Sequence, residues 1–130
     1  MKAEQSSESH QTPPSKKGIP RLIAAGGYSV AGFAAAFRSE EALRLEIAAF
    51  CVLAPLGLWL GDGAVEKILL VGCLVFVIVV ELFNTGIEAV INRIGRDYRE
   101  LSKVAKEVGS AAVLVSLALV VFVWAMILFY

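Results

Sequence analysis

Val108 to Tyr130 runs for 23 residues without a single Asp, Glu, Lys or Arg. About 20 such residues span the hydrocarbon of a bilayer as a helix. Only helices and closed barrels can cross it, because every backbone polar group must be satisfied within the protein. Two further apolar blocks precede this one. Ile68 to Val80 carries no charge, and the run continues through Glu81 and Glu88 to Ile91, a 24-residue span if read through the acids. Leu45 to Leu60 is interrupted only by Glu46, and Pro55 and Gly57 within it predict a tilted or kinked helix. The expected spans are about 42–60, 68–91 and 108–130. The chain is 58% hydrophobic and 18% charged, against about 45–50% and about 25% for soluble domains. Twelve basic residues balance twelve acids. That leaves no basic excess for a nucleic-acid binder, and two cysteines are too few for a disulfide scaffold.

The first 18 residues are polar and read as a disordered tail. No apolar run follows the early lysine, so a signal peptide is not expected. His10, the only histidine, lies in this tail and reads as a solvated residue. Pro20 suits the first turn of a helix. Leu22, Gly26, Val30, Phe33 and Phe37 then recur at spacings of three and four, bracketed by Arg21 and Arg38. That stripe predicts an amphipathic helix lying in the membrane interface. The expected fold is all-α: this interfacial helix and three transmembrane helices in one domain over 19–130. Six basic residues precede the first span, one lies in Gly61–Lys67, and five lie in Asn92–Glu107. The positive-inside rule then puts the N-terminus in the cytoplasm and Tyr130 outside. Cys51 and Cys73 fall within apolar spans and read as packing residues.

The acids inside the spans are the functional signal. A carboxylate at the bilayer centre costs roughly 2.5–3.5 kcal/mol on insertion scales, so it marks a functional site by default. Glu81, Asn84, Thr85, Glu88 and Asn92 recur every three or four residues and share one side of a helix. The alternative is interhelical glue, with the amides and protonated acids bonding across a bundle. Glu40, Glu41 and Glu46 add carboxylates at a similar depth near the first span. Acids gathered at a basic interface suit Mg²⁺, which commonly joins one or two carboxylates to phosphates. Lys106, with Gly109 and Ser110 after it, could meet a phosphate; the bland reading is that the basic residues only set orientation. Neither a P-loop nor a dinucleotide glycine fingerprint is present.

Glu81-Leu82-Phe83-Asn84-Thr85-Gly86-Ile87-Glu88-Ala89-Val90 resembles the E-x-x-N-[ST]-x-I-E signature of the small bacterial integral-membrane diacylglycerol kinases. Lys106-Glu107-x-Gly109-Ser110-Ala111-Ala112-Val113 is similar to a second stretch of that family, and Gly27-Tyr28-Ser29 and Arg44-x-Glu46 also match. The likeness covers about Gly18 to Tyr130. It implies a homotrimeric helical bundle in the bacterial inner membrane, with active sites shared between subunits at the cytoplasmic interface and a periplasmic C-terminus. It implies transfer of the γ-phosphoryl of MgATP to the hydroxyl of diacylglycerol, giving phosphatidic acid. By position, Glu81 would be the general base, Glu40 and Glu88 would hold the metal, and Asn84 would support the base. Arg21, Tyr28, Glu40, Glu88, Asp97, Tyr98, Arg99, Lys106 and Glu107 would line the ATP site. Arg21, Ser29, Arg44, Glu46, Trp59, Glu81 and Ser110 would border the lipid. Glu107 and Asn92 stand where the family usually has aspartates.

Undecaprenol kinases would share the catalytic stripe; the stretch from Arg93 to Ser102 favours the diacylglycerol type. A small proton-coupled transporter could also carry an intramembrane glutamate, but the lysine-bearing segment before the last span speaks against it. A non-enzymatic assembly subunit would use the stripe only as glue.

Overall fold

A computed structural model of the protein describes residues 15–95 and 100–130. Among these residues the chain forms four helices: α1 (Ile19–Ser39), α2 (Glu41–Leu60), α3 (Gly63–Ile94) and α4 (Glu100–Phe129). Two units divide between Gly32 and Phe33. The first comprises the start of α1 and the residues before it. Pro20 lies in the first turn of α1, where its missing N–H has no intrahelical role. Leu22 and Val30, on the expected apolar stripe, are exposed within the protein.

The second unit holds the three long helices, each long and apolar enough to cross a membrane. At 1.5 Å per residue, the 32 residues of α3 extend about 48 Å, more than the roughly 30 Å of hydrocarbon. Its ends therefore reach the polar interface. α2 continues unbroken through Pro55. Only Gly61 and Asp62 separate α2 from α3, so the two must run antiparallel. The Gly61 N–H donates to Gly57 O at 3.0 Å. A Cβ at Gly61 would meet Lys67 Cγ at 2.9 Å and Gly57 O at 3.1 Å, so this turn needs glycine. Gly63 follows at φ +77, a conformation other residues rarely adopt. The Asp62 N–H donates to Glu66 Oε2 at 2.7 Å, satisfying a donor at the start of α3.

The core lies along the contact of α2, α3 and α4. Ala54, Cys73 and Leu74 are buried, with Phe50, Leu53, Val71, Val120, Val123 and Trp124 packed against them. Leu70 is 0% exposed. Gly57 lets α2 approach it: a Cβ there would stand 3.1 Å from Leu70 Cβ and 3.4 Å from the Trp124 ring. The Trp124 indole N–H crosses from α4 to donate to Leu70 O at 3.2 Å. Most other large apolar side chains of the unit remain exposed. On a membrane protein such faces meet lipid or another helix.

One boundary differs from the sequence reading. Lys106 and Glu107, expected in a polar segment before a span starting at residue 108, lie inside α4, which already begins at Glu100. Hydropathy locates the buried stretch of a helix, not its polar extension into water. That extension is helped by a Lys103–Glu107 ion pair at 3.7 Å, spaced for one helical turn.

Candidate functional site

The register of α2 on α3 builds the site. Gly61 meets Lys67 and Gly57 meets Leu70 near the turn. Farther along, the Glu46 carboxyl faces that of Glu81, and the Glu40 carboxyl faces that of Glu88. Residue numbers fall along one helix as they rise along the other. The four acids thus form two carboxyl pairs at the end of the unit away from the turn. Two helical turns separate Glu81 from Glu88, about 10 Å along the axis.

Glu81 is only 3% exposed. Glu46 is half-buried, and its Oε2 is buried with no hydrogen-bond partner. Ionised carboxylates accept but cannot donate. The inner pair therefore requires a proton on one member or a donor from a third group. Asn84 Oδ1 is a second buried acceptor without a partner. Thr85 is not such a donor: its hydroxyl bonds back to Glu81 O at 2.9 Å.

The outer pair is more open. Glu40 caps α2 in an extended conformation, φ −115 and ψ 112. Burial holds its carboxyl above the usual carboxylate range, and the charge and hydrogen bonding of Glu88 and the charge of Glu81 add to this. Arg44 offsets part of the effect. Like charges forced together favour a bound cation. Among the described residues no three His, Cys, Asp or Glu side chains converge to form a complete metal cage. A pair of carboxylates is the kind of donor set that commonly joins Mg²⁺ to phosphates.

The α4 side is set by Gly109. It is buried against α3, and a Cβ on it would collide with Asn84 Oδ1. This contact sets the level of α4 against α3, with Ser110 next after Gly109. It puts Lys106, three residues earlier on α4, within about one residue's rise of Glu88, four later on α3. Lys106, Glu107 and Ser110 are exposed. Asn92 ends the stripe and is also exposed. In the first unit, Arg21 and Tyr28 line an open hollow of about 520 Å³ with Ser15, Lys16 and Lys17. Ser29 is exposed on the same helix and donates to Ala25 O at 2.9 Å.

Asp97, Tyr98 and Arg99 lie outside the described residues, as do His10 and most of the tail. Trp59 is 79% exposed near the turn, at the far end of α2 from the acids. Thirteen residues separate it from Glu46, about 20 Å of helix. Arg44, matched to the lipid by resemblance, donates through Nη1 to Phe37 O at 2.9 Å and Arg38 O at 3.0 Å. Sequence reasoning did not anticipate that bond, the pairing of Glu46 with Glu81, or the Gly109–Asn84 contact. The short Gly61-Asp62 turn was the signal for the pairing, since it fixes which residues of α2 and α3 are level.

Comparison with known proteins places the chain in a family. The family model described as prokaryotic diacylglycerol kinase matches residues 27–128. The chain is 41% identical to the diacylglycerol kinase of Escherichia coli (strain K12) over 111 residues, 85% of this chain and 91% of that protein. It is 41% identical to the diacylglycerol kinase of Haemophilus influenzae, covering 87% of this chain and 96% of the relative. It is 40% identical to that of Pseudomonas aeruginosa, covering 85% and 90%.

Proposed function

Since the chain belongs to the prokaryotic diacylglycerol kinase family and is a membrane-embedded kinase, we propose that it transfers the γ-phosphoryl of ATP to the hydroxyl of diacylglycerol. The product is phosphatidic acid, and the reaction runs at the cytoplasmic face of the bacterial inner membrane. The observation that carries this reading is the pair of facing carboxyls, Glu46–Glu81 and Glu40–Glu88, at one end of the helical unit. The basic residues of the segments flanking that end support its cytoplasmic orientation, with the C-terminus periplasmic.

Each group has a definite task. With both carboxyls of the inner pair ionised, a lipid hydroxyl supplies the missing donor. Glu81 accepts the hydroxyl proton as the oxygen bonds to the γ-phosphorus. The bond from that phosphorus to the bridging oxygen breaks, and ADP leaves with its electrons. Glu46 and Asn84 hold the hydroxyl and the base in line. Glu40 and Glu88 hold a divalent cation, Mg²⁺ by the chemistry of the donor set, which neutralises phosphate charge when bound. Lys106, level with Glu88, adds a fixed positive charge to the phosphates. Phosphoryl transfer needs mainly such positioning and neutralisation. Glu107 suits the nucleotide's polar edge and Ser110 the lipid; for Arg21, Tyr28 and Ser29 a role toward these ligands rests on the family resemblance alone. The exposed apolar faces, with only 6% of the most apolar stretch of α4 buried, support association of copies as a homotrimer with shared sites.

The test is phosphate transfer from ATP by detergent-purified protein, with diacylglycerol and undecaprenol as competing acceptors. Wild type labels diacylglycerol preferentially, and Glu81→Gln loses at least about 10³-fold in turnover while still assembling in membranes. Near wild-type transfer by Glu81→Gln removes its role as base. Preferential labelling of undecaprenol removes the substrate assignment.

A further inference from the structure

We propose that Arg44 is a positioning residue: it ties the last turn of α1 to the first turn of α2 and so holds Glu40 opposite Glu88. A helix leaves its last four carbonyls without intrahelical donors. At the end of α1, Ala36 O accepts the Glu40 N–H at 2.9 Å. Phe37 O and Arg38 O are satisfied instead by Arg44 Nη1, at 2.9 and 3.0 Å. The guanidinium also places a positive charge at the negative end of the α1 dipole.

Glu40 is the one residue between α1 and α2, and it is extended. A one-residue hinge couples the elbow angle to the direction of the side chain on the hinge. Arg44 is anchored one turn into α2, its N–H bonded to Glu40 O at 3.3 Å. Backbone on one side and guanidinium on the other therefore bracket Glu40. A guanidinium committed to two carbonyls of its own chain serves the cation site through Glu40 rather than the lipid by direct contact.

The proposal rests on Glu40 and Glu88 forming the cation site, so its test begins with Mn²⁺ binding to the purified protein, read by electron paramagnetic resonance without ATP or lipid. Arg44→Gln weakens Mn²⁺ binding about ten-fold, the usual scale for losing a group that orients a ligand. The Mn²⁺ concentration for half-maximal turnover rises by a similar factor, while the KM for diacylglycerol stays within about two-fold. Arg44→Lys keeps the charge without the rigid fork and retains a deficit of about three-fold. Should Arg44→Gln not purify folded, Arg44→Lys carries the test alone. A raised lipid KM with unchanged Mn²⁺ binding assigns Arg44 to the lipid and overturns the proposal; unchanged values on both counts overturn it as well. Wild type that binds no Mn²⁺ instead sinks the cation site itself, a separate failure.

Discussion

Gly109→Ala tests whether the α3–α4 contact positions the end that carries the carboxyls. The added Cβ collides with Asn84 Oδ1 and comes within 3.3 Å of Asn84 Cγ. Either the amide turns away or the helices separate. Overpacking of this kind costs about 1–3 kcal/mol, and better helix propensity returns about 0.5–1, leaving a net loss of about 1–2 kcal/mol. The partner substitution makes the reasoning sharp. In an Asn84→Ala background the oxygen and Cγ are gone, and the remaining Cβ at residue 84 stands 4.0 Å from the new atom. That is ordinary van der Waals contact, so Gly109→Ala becomes neutral or stabilises by up to about 1 kcal/mol. A double-mutant cycle of unfolding in mixed micelles should give a coupling of about 2 kcal/mol. Turnover should separate from stability. Gly109→Ala displaces the Asn84 amide and slows the reaction; adding Asn84→Ala restores stability without restoring turnover. An equal cost for Gly109→Ala in both backgrounds would refute the contact as its cause.

Three other outcomes follow from the same geometry. Glu40 keeps its proton to higher pH in the folded protein than in the unfolded chain. The folded state therefore binds more protons, and metal-free stability falls as pH rises from the ordinary carboxylate range through the raised Glu40 value. Thermal midpoints across that window should show the fall, Glu40→Gln should flatten it, and a midpoint that climbs with pH in both proteins contradicts the sign. Trp124→Phe removes the hydrogen bond to Leu70 O and should cost about 0.5–1.5 kcal/mol, with turnover per folded molecule unchanged because Leu70 lies about 27 Å along α3 from Glu88. Glu107→Gln breaks an exposed ion pair with Lys103, so stability should stay within about 1 kcal/mol; a raised KM for ATP with normal lipid KM checks its place beside the nucleotide.

The sequence disclosed the membrane helices because hydropathy and length act on each segment separately. It disclosed the polar stripe because Glu81, Asn84 and Glu88 follow helical spacing within one segment. It disclosed much less of what depends on register between segments. Glu46 was legible as an acid at the right depth, yet its pairing with Glu81 needs the antiparallel alignment imposed by Gly61 and Asp62. Gly109 was legible as part of a stretch that could meet a phosphate, not as the residue that packs against Asn84. Motif position matched Arg44 to the lipid, but says nothing about where the long side chain folds back, here onto Phe37 O and Arg38 O. The nearby orphan carbonyls of α1 were a usable signal, since a helix ending one residue before another leaves acceptors within reach of a cation one turn on.

The placement of glycine and tryptophan along α2, α3 and α4 answers a problem created by the acids. Four carboxyls brought together at one end oppose the pairing of α2 with α3, by desolvation and by mutual repulsion. Packing at the other end must offset this. There Gly57 admits Leu70, Trp124 closes over both and bonds across to the Leu70 carbonyl, and Gly61 tightens the turn. The end that carries the four carboxyls has the unsatisfied acceptors, while the end near the turn has the closest apolar packing. A substitution near the turn should therefore reduce the amount of folded enzyme, and one among the carboxyls should reduce what each folded enzyme does. Replacing Glu46 with an apolar residue of similar size should raise stability while turnover falls, because it removes a buried acceptor that no protein donor satisfies. Measuring both quantities on Glu46→Met decides the point: a loss of stability with turnover intact would mean that the inner pair is structural.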